Sequence, residues 1–174
     1  RGVVLADEVG LGKTIEAGIV LCQYWAERKR RILIIAPSSL RQQWQQELDE
    51  KFAIPSRLLD AKTKDELLTP RPGLPAHVLI CSYEFAQRNT EDLYRHWDLI
   101  VADEAHRLRS YWKGNAKIAD AVAAIMSSAT KSLLLTATPL QNRLEELYGL
   151  VSVLEPGFFH SIELVTMVVV GGMA

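Results

Sequence analysis

The chain has 174 residues, of which 48% are hydrophobic and 24% are charged, and its formal net charge at pH 7 is −1. These values are typical of one globular domain that is large enough to bury a core. The small net charge excludes a globally basic nucleic-acid binder of the histone type, although a local phosphate-binding track needs only a few donors. Two cysteines, Cys22 and Cys81, are too few for a metal cluster and fit a reducing cytoplasm. The apolar runs are shorter than the roughly 20 residues that span a bilayer, so we expect no membrane partner.

Five short apolar runs recur along the chain and are separated by longer amphipathic or polar stretches. They cover residues 3–6, 32–36, 78–81, 99–102 and 133–135. None of these runs alternates polar with apolar residues, as a strand with one exposed face would. Continuous runs of this length are typical of strands that are buried on both faces, so they predict a parallel sheet covered by helices.

Three of the intervening segments have the periodicity of amphipathic helices. Their apolar stripes cover residues 40–52, 118–126 and 144–154. Ser39, followed three residues later by Gln42, predicts a capping box at the start of the first helix. Alternating strands and helices predict an α/β fold with three layers and a mostly parallel sheet.

The first apolar run begins abruptly, because Arg1-Gly2 leads into it without a cap or a turn. We therefore expect a domain that covers residues 1–160, is truncated at its amino end and was cut from a longer protein. The tail at residues 161–174 is of uncertain structure, and either an added edge strand or a boundary of the chain would account for it.

A glycine-rich turn, Gly10-Leu11-Gly12-Lys13-Thr14, follows the first strand and precedes a helix. The two glycines allow backbone conformations in which successive N–H groups converge on an anion, and the helix adds the positive end of its dipole. The pattern predicts that Lys13 reaches the β- and γ-phosphates of a nucleotide and that the Thr14 hydroxyl binds Mg²⁺. Asp7 stands where the strict phosphate-loop pattern has glycine. The dinucleotide-binding pattern fails, because its third glycine would fall at Ile15.

Two adjacent carboxylates, Asp103 and Glu104, directly follow the fourth apolar run. Such neighbours repel each other unless a cation or a polarised water lies beside them. In a nucleotide site, Asp103 would hold Mg²⁺, usually through water, and Glu104 would polarise the water that attacks the γ-phosphate. Taken alone, the pair fits a solvated acidic turn as well. His106 is either a packing or capping residue or a hydrogen-bonded link to Thr136-Ala137-Thr138.

In combination, these motifs resemble those of the Swi/Snf-type ATPases of helicase superfamily 2. Residues 5–18 resemble motif I of that group, in which the aspartate at Asp7 is the usual residue. The segment that resembles motif Ia is residues 36–40 together with Trp44 and Glu47. The segments that resemble motifs Ib, II and III are residues 80–84, 103–106 and 136–142. The resemblance runs from about Val3 to Phe159, and the variants at Val9 and Glu16-Ala17-Gly18 are more similar to bacterial and archaeal members.

The resemblance implies a RecA-like phosphate-loop NTPase domain, the amino-terminal ATP-binding lobe, with ATP and Mg²⁺ as cofactors. The implied nucleotide contacts are Asp7, Glu8, Val9, Gly10, Leu11, Gly12, Lys13 and Thr14. The implied catalytic residues are Lys13, Asp103 and Glu104, and the implied metal ligands are Thr14 and Asp103. Thr136, Thr138 and His106 would sense the loss of the γ-phosphate and pass it on.

The residues that the resemblance places near a DNA track are Pro37, Ser38, Ser82 and Tyr83. Hydroxyls and free N–H groups at strand ends contact phosphates without reading bases, although each of these residues also fits a cap or a turn. Trp44 and Trp97 lie where core packing is expected, although either indole could stack on a base.

The family implies ATP-driven translocation on double-stranded DNA, which would make the parent protein nucleoid-associated. The implied partners are double-stranded DNA, a second RecA-like lobe of the same parent chain and a DNA-bound protein complex. The second lobe brings arginines that this chain lacks, so we expect the chain alone to bind nucleotide weakly and to hydrolyse almost none. Two alternatives stay open: a lobe of an RNA helicase, whose motif III more often reads Ser-Ala-Thr, and a scaffold that binds only protein.

Overall fold

The computed structural model describes residues 2–6, 12–73, 75–109, 116–137 and 144–155. Six strands form one sheet: β1 Gly2–Ala6, β2 Ile32–Ala36, β3 Ser56–Leu58, β4 Val78–Ser82, β5 Trp97–Ala102 and β6 Ala129–Thr136. The helices between them are α1 Lys13–Ala26, α2 Arg41–Phe52, α3 Lys64–Leu68, α4 Tyr83–Arg88, α5 Thr90–Leu93, α6 Lys117–Ser127 and α7 Leu144–Leu154. Two 3₁₀ turns, Ser38–Leu40 and Ala105–Leu108, follow β2 and β5.

The strands lie in the order β1-β6-β5-β2-β4-β3, and every neighbouring pair is parallel. The register pairs Ala36 with Ser82, Ile35 with Ala102, and Ala6 with Thr136. Because all the strands run in one direction, their carboxyl ends meet at the same edge of the sheet. This edge is where open α/β sheets bind ligands.

The core consists of two apolar layers, one on each face of the sheet. On one face, Ile34 and Val101 pack with Leu21 of α1 and Leu48 of α2. On the other face, alternate strand residues such as Ile35 pack against helices α3 to α7. The three-layer α/β fold is therefore confirmed, and so is the prediction of burial on both faces for β2, β4 and β5 and for the run at residues 133–135 of β6. The prediction is wrong for the run at residues 3–6, because β1 lies at the edge of the sheet and Val3 is 58% exposed.

Helix α2 begins differently from the prediction, because Ser39 does not form a capping box with Gln42. Ser39 lies inside the 3₁₀ turn Ser38–Leu40, and α2 begins at Arg41 without a side-chain cap. The Leu40 N–H donates instead to the carbonyl of Pro37 at 2.9 Å. A backbone turn thus takes the place of the predicted side-chain cap.

Within the described ranges, no helix is both long and apolar enough to cross a lipid bilayer. The predicted tail at residues 161–174 lies outside the described residues.

Candidate nucleotide-binding site

The start of α1, one side of α2 and the residues that follow β5 and β6 line a cavity of about 410 Å³ at the carboxyl edge of the sheet. Its lining comprises Gly12, Lys13, Thr14, Ile15, Leu40, Gln43, Trp44, Glu47, Lys51, Asp103, Glu104 and Ala137. Residues from the glycine-rich turn and from the acidic pair, about 90 positions apart in the chain, thus face one space. The strand order produces this meeting, since β1 and β5 flank β6.

The described part of the glycine-rich turn is the start of α1. Gly12 has a φ of 95°, in the left-handed region that favours glycine, and its carbonyl accepts the N–H groups of Ile15 and Glu16 at 2.8 and 3.0 Å. Lys13 and Thr14 follow as the first two residues of the helix, and both are half-buried at the cavity. The helix start directs its positive dipole end towards this space. The other predicted nucleotide contacts, Asp7, Glu8, Val9, Gly10 and Leu11, lie outside the described residues.

Asp103 follows the last residue of β5 and is held from three sides. Its N–H donates to the Ile35 carbonyl at 2.8 Å. Its carboxylate accepts the Trp44 indole N–H at Oδ2 and the Glu104 backbone N–H at Oδ1, each at 2.8 Å. Burial raises the pKa of the Asp103 carboxyl, while the two N–H donors and the charge of Lys13 act in the opposite direction. The sheet thus fixes one carboxylate, 9% exposed, at the wall of the cavity.

Glu104 differs from its neighbour in conformation and in exposure. Its φ of 52° and ψ of 46° are left-handed, which is uncommon for a residue with a side chain and starts the 3₁₀ turn Ala105–Leu108. Its side chain is 32% exposed, and Oε2 lies 3.1 Å from Nδ1 of His106. The acidic pair therefore presents one anchored carboxylate and one that is accessible from the cavity.

The residues around the cavity fit Mg²⁺ bound together with phosphate. In the described part of the chain, no group of three or more His, Cys, Asp or Glu side chains is placed to hold a metal by itself. Mg²⁺ typically uses one or two protein oxygens and completes its shell with water and phosphate oxygens. Thr14 and Asp103, which line the same cavity, carry a hydroxyl and a carboxylate that could supply such oxygens.

Two of the three residues predicted to couple nucleotide to the rest of the molecule, His106 and Thr136, lie in the described segments that follow or end β5 and β6. His106 contacts Glu104, as described above. Thr136 is the last residue of β6, is fully buried, and precedes Ala137 at the cavity wall. Thr138 lies outside the described residues.

The four residues predicted near DNA lie at the neighbouring ends of β2 and β4, but only one side chain is exposed. Ser38 is exposed, and its hydroxyl donates to Oε2 of Glu84 at 3.1 Å. Pro37 is buried, and Ser82, 7% exposed, accepts the Phe85 N–H at 3.0 Å as the cap of α4. The capping alternative therefore describes Ser82.

The prediction of a DNA contact does not fit the side chain of Tyr83. This residue is fully buried, and its hydroxyl donates to the Asp103 carbonyl at 2.6 Å. Burial raises the pKa of the Tyr83 phenol well above its usual value. Since its hydroxyl is already bonded inside the core, Tyr83 supports the acidic pair through the Asp103 carbonyl, and its side chain offers no exposed donor to a phosphate.

Sequence reasoning missed the part that Trp44 has in the site. Its place in the apolar stripe predicts core packing, which the structure confirms, since Trp44 is 2% exposed. An apolar stripe predicts which face of a helix is buried, but it does not predict that the indole N–H of Trp44 donates to the Asp103 carboxylate. A tryptophan in the buried stripe of a helix beside a nucleotide motif was the available signal.

Comparisons with known proteins agree with this geometry. A family model described as the SNF2-related domain matches residues 1–166. An uncharacterized ATP-dependent helicase, YqhH of Bacillus subtilis, is 39% identical over 163 residues, which are 91% of this chain and 27% of that protein. The RNA polymerase-associated protein RapA of Yersinia pseudotuberculosis is 37% identical over 168 residues, which are 92% of this chain and 17% of that protein.

A solved structure, the SWI2/SNF2 ATPase core of Sulfolobus solfataricus in complex with double-stranded DNA, has a similar fold. The TM-score is 0.77 at 24% sequence identity, and the match covers 95% of this chain and 34% of that chain. The chain thus spans about a third or less of each of these proteins.

Proposed function

The chain belongs to the SNF2-related domain family, and from this membership and its cavity we propose that it is the ATP-binding lobe of a DNA-dependent ATPase. The proposal extends to translocation on double-stranded DNA and to the remodelling of protein–DNA complexes by the longer protein. One observation carries it: Lys13, Thr14 and the acidic pair line the same cavity at the carboxyl edge of the sheet.

Residues that line the cavity have different roles in the proposed phosphoryl transfer. Lys13 and the start of α1 bind the β- and γ-phosphates and orient them. Thr14 and Asp103 would hold Mg²⁺, which neutralises charge that develops on the transferred phosphoryl group. Glu104 accepts a hydrogen bond from the attacking water and polarises it, and the contact with His106 fixes the orientation of that carboxylate.

A DNA track is proposed beside the cavity, at the ends of β2 and β4. Ser38 offers an exposed hydroxyl there, directly before α2, which reaches the nucleotide cavity through Gln43 and Trp44. The archaeal ATPase core of similar fold was solved with double-stranded DNA. We also propose a second RecA-like lobe in the longer protein, because the lining residues of this cavity that the structure describes include no arginine.

A single substitution separates binding from hydrolysis. Glu104→Gln keeps the size of the side chain but removes the charge that polarises water, so Mg²⁺–ATP still binds. We expect kcat of the longer protein to fall by about 10²-fold or more. Binding is measured with a fluorescent ATP analogue on this chain, and hydrolysis by phosphate release from the longer protein.

The matched control is Glu91→Gln, at an exposed position in α5 that does not line the nucleotide cavity. It should leave both measurements unchanged. Full hydrolysis by Glu104→Gln would remove the role assigned to this residue. A wild-type chain that binds no Mg²⁺–ATP at all would contradict the proposed function itself.

A further inference from the structure

The indole of Trp44 joins the apolar core to the acidic pair. Trp44 lies in α2, 59 positions before Asp103 in the chain, and its Nε1–H donates to Oδ2 of Asp103 at 2.8 Å. The ring packs in the apolar layer beneath α1 and α2, and it also lines the cavity beside Lys13 and Thr14. One side chain thus contacts both the hydrophobic layer and the predicted metal ligand.

The two N–H donors hold both oxygens of the Asp103 carboxylate. Trp44 bonds Oδ2 and the backbone of Glu104 bonds Oδ1, and both donors belong to groups with little freedom to move. A carboxylate oxygen can accept two hydrogen bonds, so each oxygen keeps one acceptor position for a further ligand. The carboxylate is therefore fixed in orientation without being saturated.

A second buried tryptophan, Trp97, shows which hydrogen bond a buried indole makes outside the site. Trp97 is 4% exposed and lies in the apolar layer on the opposite face of the sheet. Its indole N–H donates to the carbonyl of Leu93, four residues earlier, at 2.9 Å. A nearby backbone carbonyl is sufficient for a buried indole. Burial of the indole therefore does not by itself explain why the Trp44 N–H donates to a carboxylate 59 positions away.

We propose that Trp44 is a positioning residue, whose indole N–H holds the Asp103 carboxylate in the orientation that receives Mg²⁺ with the nucleotide. The inference rests on the proposed function, since it assigns Trp44 to that site. Groups that orient a metal ligand from behind typically change metal affinity by about 10-fold to 100-fold when they are removed. Trp44 holds a corresponding position, although it donates to the ligand itself.

The test compares two substitutions that remove the same atoms. Trp44→Phe and Trp97→Phe each delete a buried indole N–H, but only the first deletes a bond to Asp103. The concentration of Mg²⁺ that gives half-maximal binding of a fluorescent ATP analogue is measured for the 174-residue chain. We expect it to rise about 10-fold to 100-fold in Trp44→Phe and to stay unchanged in Trp97→Phe. Binding of the analogue in EDTA should be the same in both variants.

Replacing Trp44 with 3-benzothienylalanine gives a second variant, because sulfur takes the place of the N–H in a ring of nearly the same shape. This variant tests the hydrogen bond even where Trp44→Phe fails to fold. NMR of the indole N–H groups gives a readout that does not depend on turnover. The Trp44 signal should shift when Mg²⁺ and nucleotide are added, and the Trp97 signal should not.

The possible outcomes distinguish the inference from the function on which it rests. If the wild-type chain binds no nucleotide with or without Mg²⁺, the proposed function fails. If it binds nucleotide equally well with and without Mg²⁺, the inference is overturned, because no ion then depends on the Asp103 carboxylate. If the wild-type chain depends on Mg²⁺ but the Trp44 variants need no more of it than Trp97→Phe, the inference is overturned. A raised Mg²⁺ requirement in the benzothienyl variant supports it.

Discussion

At the scale of single residues, Asp103 combines burial with two hydrogen bonds to its carboxylate. The side chain is nearly buried, which raises the pKa of its carboxyl, yet two N–H donors meet its oxygens. Burying a carboxylate costs free energy that a metal ion with a nucleotide would recover on binding. Reasoning from the sequence placed Asp103 at a strand end. It did not identify the donors, because Trp44 reaches the carboxylate only through the tertiary fold.

A second buried group, the thiol of Cys81 in β4, makes a prediction about pH. Burial raises the pKa of this thiol from its usual 9.0 to about 12. At a pH between these two pKa values, the Cys81 thiol of the folded chain keeps a proton that the unfolded chain has released. The free energy of unfolding should therefore fall as the pH rises, by about 1.4 kcal/mol for each pH unit.

Urea unfolding of the wild type and of Cys81→Ala, followed from pH 8 to about pH 11, measures this effect. The variant should be less stable at pH 8, because it loses buried atoms, but its stability should fall less steeply above pH 9.0. Since the other titrating groups are common to both proteins, the difference between the slopes reports Cys81. Parallel slopes would contradict the assignment.

At the scale of elements, the apolar runs identified the central strands because these strands are buried on both faces. The run at residues 32–36 coincides with β2, and the run at 133–135 lies inside the longer β6. The strand β3 was missed, because its three half-buried residues at the edge of the sheet form no continuous apolar run. The helical stripe at 144–154 coincides with α7. The run at residues 3–6 does coincide with the other edge strand, β1, so an edge strand is found where its residues are continuously apolar. The sequence pattern thus does not predict a short polar strand or a cap.

The ends of three elements are also joined at the surface beside the cavity. Glu84 of α4 accepts from Ser38 at 3.1 Å and from Arg107 at 3.4 Å. The guanidinium of Arg107 in turn lies over the ring of Tyr83, 5.5 Å from its centre. These contacts connect the segments that follow β2, β4 and β5, and the first two of these segments are where the DNA track is proposed.

The packing of α1 on α2 makes a prediction at the same scale. A Cβ added at Gly18 of α1 would overlap the ring of Phe52, the last residue of α2. Alanine normally favours a helix over glycine by about 1 kcal/mol. Here we expect Gly18→Ala to destabilise the chain by about 1–3 kcal/mol, because the overlap forces the two helices or the ring to move.

Thermal or urea unfolding of Gly18→Ala, Phe52→Leu and the double variant measures the interaction. The smaller and more flexible leucine should reduce the overlap with the added methyl group. The loss in free energy of unfolding in the double variant should therefore be smaller than the sum of the losses in the two single variants. If Gly18→Ala raised the stability of the wild-type background, the close approach of the two helices would be refuted.

At the scale of the whole molecule, strand order brings distant segments of the chain to one edge. The segments that follow β2, β4, β5 and β6 meet at this edge, and they include Asp103 and Ala137 at the cavity and the exposed Ser38 after β2. The net charge of −1 gives no hint of nucleic acid, so a DNA track here depends on local donors rather than on the overall field. The matched relatives are three or more times longer than the part they share with this chain.

The most direct measurement is ATP hydrolysis by the longer protein with double-stranded DNA, single-stranded DNA or RNA. A lobe of a double-stranded DNA translocase should give the highest kcat with double-stranded DNA, and Glu104→Gln should abolish that stimulated turnover. Stimulation by RNA alone would favour the RNA helicase alternative and contradict the account. Turnover that no nucleic acid changes would contradict it as well.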